Sequence, residues 1–218
     1  SALIPNERGL EQAITRGVRE VVYVVSASDR LSRANFNKST DASIQDLSAI
    51  AKRATEHDVR LRATVAAAFG CPYEGAVPVE RVTEIALEFQ RAGVFEVTLA
   101  DTTGLAHPIQ VRATCEVVQR ALGSTPLALH FHDTLHTGLA NVYAAWETGI
   151  RVFESSVAGL GGCPFAPGAP GNVPTEGLVH MFEKMGVDTG INLNQLLECA
   201  AVVRKVVASL SATDVRGR

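Results

Sequence analysis

No stretch of this 218-residue sequence is apolar for long enough to cross a bilayer, although 46% of its residues are hydrophobic. A membrane span takes about 20 consecutive apolar residues, so no membrane partner is expected. An excess of basic charge is also missing: 20 Lys and Arg stand against 23 Asp and Glu, for a formal net charge of -3. The isoelectric point near 6.1 argues against a nucleic-acid partner, which calls for a basic face. Cysteine is sparse. Cys71, Cys115, Cys163 and Cys199 form no CxxC pair and no dense framework, which favours a reducing compartment over a disulfide scaffold. The opening SALIPNERGL lacks the pattern of a secretory leader. Tandem repeats, low-complexity segments and linkers are absent too, so residues 1–218 read as one domain with a substantial core.

What is present is alternation. Short runs rich in Val, Ile and Leu occur at 21–25 (VVYVV), from Leu61 (LRATVAAAF), from Val94 (VFEVTLA), from Pro126 (PLALHFH) and from Val152 (VFESSVA), and the opening ALIP reads as the end of another. Continuous apolar runs suit strands covered on both faces. Between them, residues 43–57 carry Ile44, Leu47, Ile50, Ala51 and Ala54 at helical spacing, with Ser43 or Asp41 as a cap. Helices are also expected over 79–92, 108–122, 138–148, 175–185 and 194–210, several of them stopped by a glycine.

Repeated strand–helix alternation predicts parallel strands with helices outside. An open doubly wound sheet competes with a closed (β/α)8 TIM barrel. No glycine-rich phosphate loop follows an early strand, which weakens the first. The polar residues gather at strand C-terminal ends, at Asp101, His130, His132 and after Ala158, where barrel enzymes keep their chemistry. The barrel is therefore expected, with about six of its eight units in this chain.

Three features carry chemistry. In His130-Phe131-His132-Asp133, residues two apart on a strand share a face, so the two imidazoles would project together. They can hold a divalent metal, or form a hydrogen-bonded pair in the core. Two nitrogens make a weak site alone, and Asn172, in the loop after the next strand, is an oxygen candidate. Asp133 has the wrong parity and suits a helix cap. The run from Gly159 to Gly168, GLGGCPFAPG, follows a strand and holds four glycines, a composition that suits a lid or a disordered segment. Cys163 within it is an acid–base group, a nucleophile or an ordinary small side chain. Asp101, in DTTG, would orient a metal-bound histidine or cap the helix near Pro108. Cys71, in GCPYEG, reads as structural.

Four motifs, SSVAGLGGCPFAPGAPGN, AAFGCPYEG, LADTTG and LHFHDT, together resemble the 3-hydroxy-3-methylglutaryl-CoA lyase family of metallolyase-type TIM barrels. The resemblance runs over nearly the whole chain. It implies His130, His132 and Asn172 as ligands of Mg2+ or Mn2+, Cys163 as the proton-transfer cysteine, and Asp101 as an acidic residue close to the metal. It also implies Asn35, in SRANFNKS, near a bound CoA. The implied activity is cleavage of an acyl-CoA to acetyl-CoA and a ketoacid, with His130 as a candidate base. A homodimer in the cytoplasm, or in the mitochondrial matrix of a eukaryote, is expected.

The resemblance has a gap. The family's first strand carries an Arg-Asp pair, the aspartate a metal ligand and the arginine a stabiliser of the enolate, and its second strand carries a glutamate. None is found here, so the chain is expected to be part of a longer protein, lacking the first two units. Rival readings are a related condensing synthase or 4-hydroxy-2-oxoacid aldolase, a lyase for a longer branched 3-hydroxyglutaryl-CoA, and an inactive fragment. The GLGGCPFA loop argues against the first two.

Overall fold

A computed structural model of the chain describes residues 1–162 and 171–214. Six strands, β1 (Ala2–Ile4), β2 (Glu20–Ser26), β3 (Arg60–Ala66), β4 (Glu96–Asp101), β5 (Leu127–Phe131) and β6 (Val152–Glu154), form one sheet. Each is parallel to the next, in the order of the sequence. Strands that follow one another in this way, with a helical crossover at each step, are those of a (β/α)8 barrel, and six of its units are seen here.

The helices are α1 (Glu7–Thr15), α2 (Asp29–Phe36), α3 (Thr40–Glu56), α4 (Val79–Arg91), α5 (Pro108–Leu122), α6 (Gly138–Glu147), α7 (Thr175–Lys184) and α8 (Leu193–Asp214). None among the described residues is long and apolar enough to cross a membrane. α4 to α7 begin where their periodicity predicts. α1 and α2 are not expected from the pattern, because each is short and buries only two residues. Local caps start them: Asn6 accepts from the Gly9 N–H at 3.0 Å, and Ser28 from the Leu31 N–H at 3.1 Å. α3 starts earlier than expected, with Ser39 as its cap in place of Ser43 or Asp41.

The core lies between sheet and helices. Val21, Tyr23, Val25, Leu61, Val65, Val97, Leu99, Leu127, Leu129 and Phe131 turn to one side and pack with Leu47, Ile50, Ile85, Phe89, Val111 and Val118 of the helices. The expectation of strands covered on both faces holds best at β4, where every residue is buried, but the second face mixes small and apolar side chains with polar ones. The alternate residues include Glu20, Arg62, Thr64, Glu96, Thr98, His130 and Glu154. Here Arg62 organises a charge cluster: its Nε lies 2.8 Å from Glu96, its Nη2 3.6 Å from Glu20, and its Nη1 donates to Glu154 at 3.1 Å. Charges taken from water need such partners to stay ionised, and here three strands supply them.

Candidate functional site

β5 ends at Phe131, and the chain beyond it stays paired. The His132 N–H donates to the Asp101 carbonyl at 3.3 Å. On the other side Val173 N–H donates to Phe131 and Asp133 N–H to Gly171, at 3.1 and 2.9 Å. These two bonds frame a bridge between His132 and Asn172. A segment forty residues further along the chain is thereby laid beside the histidines.

The imidazoles of His130 and His132 stand with centroids 5.2 Å apart, edge to face at 61°. His132 is buried, and burial followed by the charge of His130 pushes its pKa down to about 4. It is therefore neutral near pH 7, the form a metal ligand requires. Asn172 donates through Nδ2 to the Leu160 carbonyl at 2.7 Å, which turns Oδ1 the other way. Asn172 Oδ1 and both Nδ1 atoms are buried without a hydrogen-bond partner. Unspent polar capacity of this kind, in imidazole nitrogen and one amide oxygen, fits a divalent cation bound by mixed nitrogen and oxygen donors. Among the described residues, no group of three or more His, Cys, Asp or Glu forms a second candidate.

Asn172 also closes the base of the glycine loop, its N–H donating to the Gly161 carbonyl at 3.1 Å. A Cβ at Gly161 would lie 2.6 Å from Asn172 Nδ2, and one at Gly171 would overlap the Gly161 carbonyl oxygen. The loop ends meet so closely that only glycine fits. Cys163 lies outside the described residues.

Asp101 is fully buried at the end of β4. Its Oδ1 accepts from the Leu105 N–H at 3.0 Å and its Oδ2 from the Ala106 N–H at 3.1 Å. It does not cap α5; His107 does, through Nδ1. Nor does it hydrogen-bond to a histidine side chain. Instead it pins the DTTG turn, where a Cβ on Gly104 would lie 2.6 Å from Thr134, just past His132. Asp101 thus braces a wall of the histidine site. Burial raises its pKa from 3.8 to about 6, against the lowering effect of these backbone donors and of His130.

Asp101→Ala is expected to strand two N–H groups, each at about 1–3 kcal/mol, partly offset by loss of the desolvated carboxylate. A net destabilisation of about 2 kcal/mol in urea follows. A folded-state pKa above the unfolded one means this contribution is complete below pH 3.8 and is lost as pH rises through about 6. The gap between wild type and variant should therefore narrow from pH 4 to pH 7; a constant gap would contradict the raised pKa.

Asp133 behaves as a cap, its Oδ1 accepting from the first N–H of α6, at Gly138, at 2.8 Å. Cys71 is buried and donates to Ser28 Oγ at 2.9 Å, a structural contact. Asn35 is exposed on α2, and no hydrogen bond joins it to the histidines. Sequence reasoning missed Glu154, whose Oε2 lies 3.2 Å from His130 Nδ1, and Arg62 behind it. A signal was there: both are charges at inner-face parity inside apolar strand runs.

The HMGL-like family profile matches residues 1–203. An (R)-citramalyl-CoA lyase from Chloroflexus aurantiacus is 45% identical over 90% of this chain and 62% of its own length. The structure of an HMG-CoA lyase from Bacillus subtilis is 41% identical, with a TM-score of 0.92 over 95% of this chain and 70% of that one. An HMG-CoA lyase from Acinetobacter baumannii, solved with coenzyme A and 3-methylmalate, is 38% identical, with a TM-score of 0.90 over 94% of this chain and 67% of that one. The chain spans roughly two thirds of the length of the curated relatives it matches, between 62% and 67%.

Proposed function

This chain belongs to the HMGL-like family, and from that premise we propose that it is the catalytic domain of a divalent-metal-dependent carbon–carbon lyase acting on a branched 3-hydroxyacyl-CoA. In this reading 3-hydroxy-3-methylglutaryl-CoA is cleaved to acetyl-CoA and acetoacetate. The observation that carries the proposal is the pairing of Asn172 with His132 beside His130, with Asn172 Oδ1 and His132 Nδ1 left unpartnered.

His130, His132 and Asn172 would hold Mg2+ or Mn2+. When bound, the ion would supply Lewis acidity, making the substrate's tertiary hydroxyl easier to deprotonate. His130 is the proposed acceptor of that proton. The C2–C3 bond then breaks, its electron pair passes to the thioester as an enolate, and the former carbinol becomes the ketone. Cys163 returns a proton to the enolate carbon, and closure of its loop would keep water from the carbanion. Asp101 braces the turn beside the histidines, and Asn35 is assigned to the CoA side of the substrate. The protein is proposed to work as a homodimer in the cytoplasm or mitochondrial matrix.

A second reading is favoured by the 45% identity to the citramalyl-CoA lyase. The same bond cleavage on citramalyl-CoA would release acetyl-CoA and pyruvate. The deciding experiment is acetyl-CoA release from each thioester, with magnesium and then with EDTA. Acetoacetate formation that EDTA abolishes supports the first reading, pyruvate formation the second. No turnover from either thioester, or from a longer branched homologue, refutes the lyase and leaves an inactive relative. In the active protein, Cys163→Ala is expected to lower turnover about 10²- to 10⁴-fold, the usual worth of a positioned acid, with Mn2+ affinity unchanged. Unaltered turnover would remove the cysteine from the proton transfer.

A further inference from the structure

Glu154 ends β6 directly across the ladder from His130. It is the residue where the charge cluster of the inner face meets the histidine pair. Its Oε1 accepts from Arg62 Nη1 at 3.1 Å, while its Oε2 stands 3.2 Å from His130 Nδ1. The second approach is an ion-pair distance but lies off the line of the ring N–H, so no hydrogen bond is formed as the ring stands. Histidine χ2 is a broad torsion, and a small rotation aligns the two atoms. The carboxylate has little freedom to leave, because Arg62 is itself held by Glu96 at 2.8 Å.

We propose that Glu154 is a positioning residue for His130: its carboxylate accepts a hydrogen bond from Nδ1–H and so fixes the tautomer whose Nε2 lone pair is offered to the site. Either duty assigned to His130, ligation or proton acceptance, needs an unprotonated Nε2, whose single lone pair serves one of them at a time. A carboxylate behind a ligating histidine holds ring and tautomer in this way, and losing it usually lowers metal affinity about 10- to 100-fold. Arg62 in turn fixes the carboxylate, which gives the buried charge cluster a role in the site above it. The use made of Nε2 rests on the metal reading; the contact between Glu154 and His130 does not.

Two readouts on the full chain test the assignment. The first is the tautomer of His130, from two-bond proton–nitrogen couplings in metal-free protein labelled with 15N-histidine. Wild type is expected to carry the proton on Nδ1, and Glu154→Ala to show both tautomers. The second is Mn2+ affinity by electron paramagnetic resonance, expected to fall about 10- to 100-fold in Glu154→Ala and less in Glu154→Gln, whose amide oxygen still accepts. A wild-type His130 protonated on Nε2 would overturn the proposal, as would a folded Glu154→Ala protein that binds Mn2+ like wild type. If circular dichroism shows that Glu154→Ala does not fold, Glu154→Gln carries both comparisons, and wild-type tautomer and affinity in it would likewise overturn the proposal. Should wild type bind no Mn2+, the metal reading falls and the tautomer alone decides the Glu154 assignment.

Discussion

His132→Ala is expected to abolish measurable Mn2+ binding and, with it, cleavage of the thioester, while the protein stays folded. The three candidate donors come from two segments, and His132 is the one that joins them: it bridges to Asn172, while its N–H meets the end of β4. Loss of a direct ligand should exceed the roughly 10- to 100-fold effect of changes behind a ligand. The imidazole makes no hydrogen bond that the fold would miss, so truncation costs mainly packing. That cost has a pH signature. Because burial lowers the pKa from 6.5 to about 4, the neutral ring's contribution is complete above pH 6.5 and fades as pH falls towards 4. The stability gap between wild type and variant in EDTA should narrow over that range, opposite in direction to Asp101. Mn2+ titration decides the main point: a variant that binds as wild type does would remove His132 from the ligand set.

The second large effect is expected at Gly171. A Cβ there would collide with the carbonyl oxygens of Gly161 and Gly159, and because these are backbone atoms no rotamer change relieves the clash. Gly171→Ala must pull the two ends of the loop apart. The Asn172 N–H to Gly161 bond, at 3.1 Å, and the Asp133 N–H to Gly171 bond, at 2.9 Å, lie on either side of it. Overpacking of this kind costs about 1–3 kcal/mol. The functional loss should be larger, because Asn172 and the loop bearing Cys163 share that base, and a misplacement of about 1 Å can lower a rate about 10²-fold. Gly162→Ala is the control for stability: among the described residues nothing lies within 4 Å of a Cβ at that position, so its urea midpoint should match wild type. Turnover of Gly171→Ala within a few-fold of wild type would show that the loop base does not set the site.

The six strands were legible because each is a run of apolar residues rich in Val, Ile and Leu between polar segments. The starts of α4 to α7 were legible from periodicity and from prolines and glycines at their ends. The shared face of His130 and His132 followed from strand parity. α1 and α2 were not legible, because a helix of eight or nine residues with two buried positions leaves too short a pattern to detect. Asp101 was legible as a strand-end carboxylate but not in its partners: whether it meets a helix start, an imidazole or a turn depends on where the chain goes next, and here the DTTG turn folds back under it.

The sequence by itself determined the alternating architecture, the histidine pair and the motifs by which the family is recognised, since each of these is written in residues close together along the chain. Only the tertiary structure decided what stands beside that pair. Asn172 reaches His132 across forty residues, Glu154 reaches His130 from the next strand, and Arg62 reaches Glu154 across the inner face. Parity along a strand says which face a side chain occupies, but its neighbour on that face is set by strand order and register. Those are fixed by burying the helix-facing side of the whole sheet at once, and no local segment contains that information.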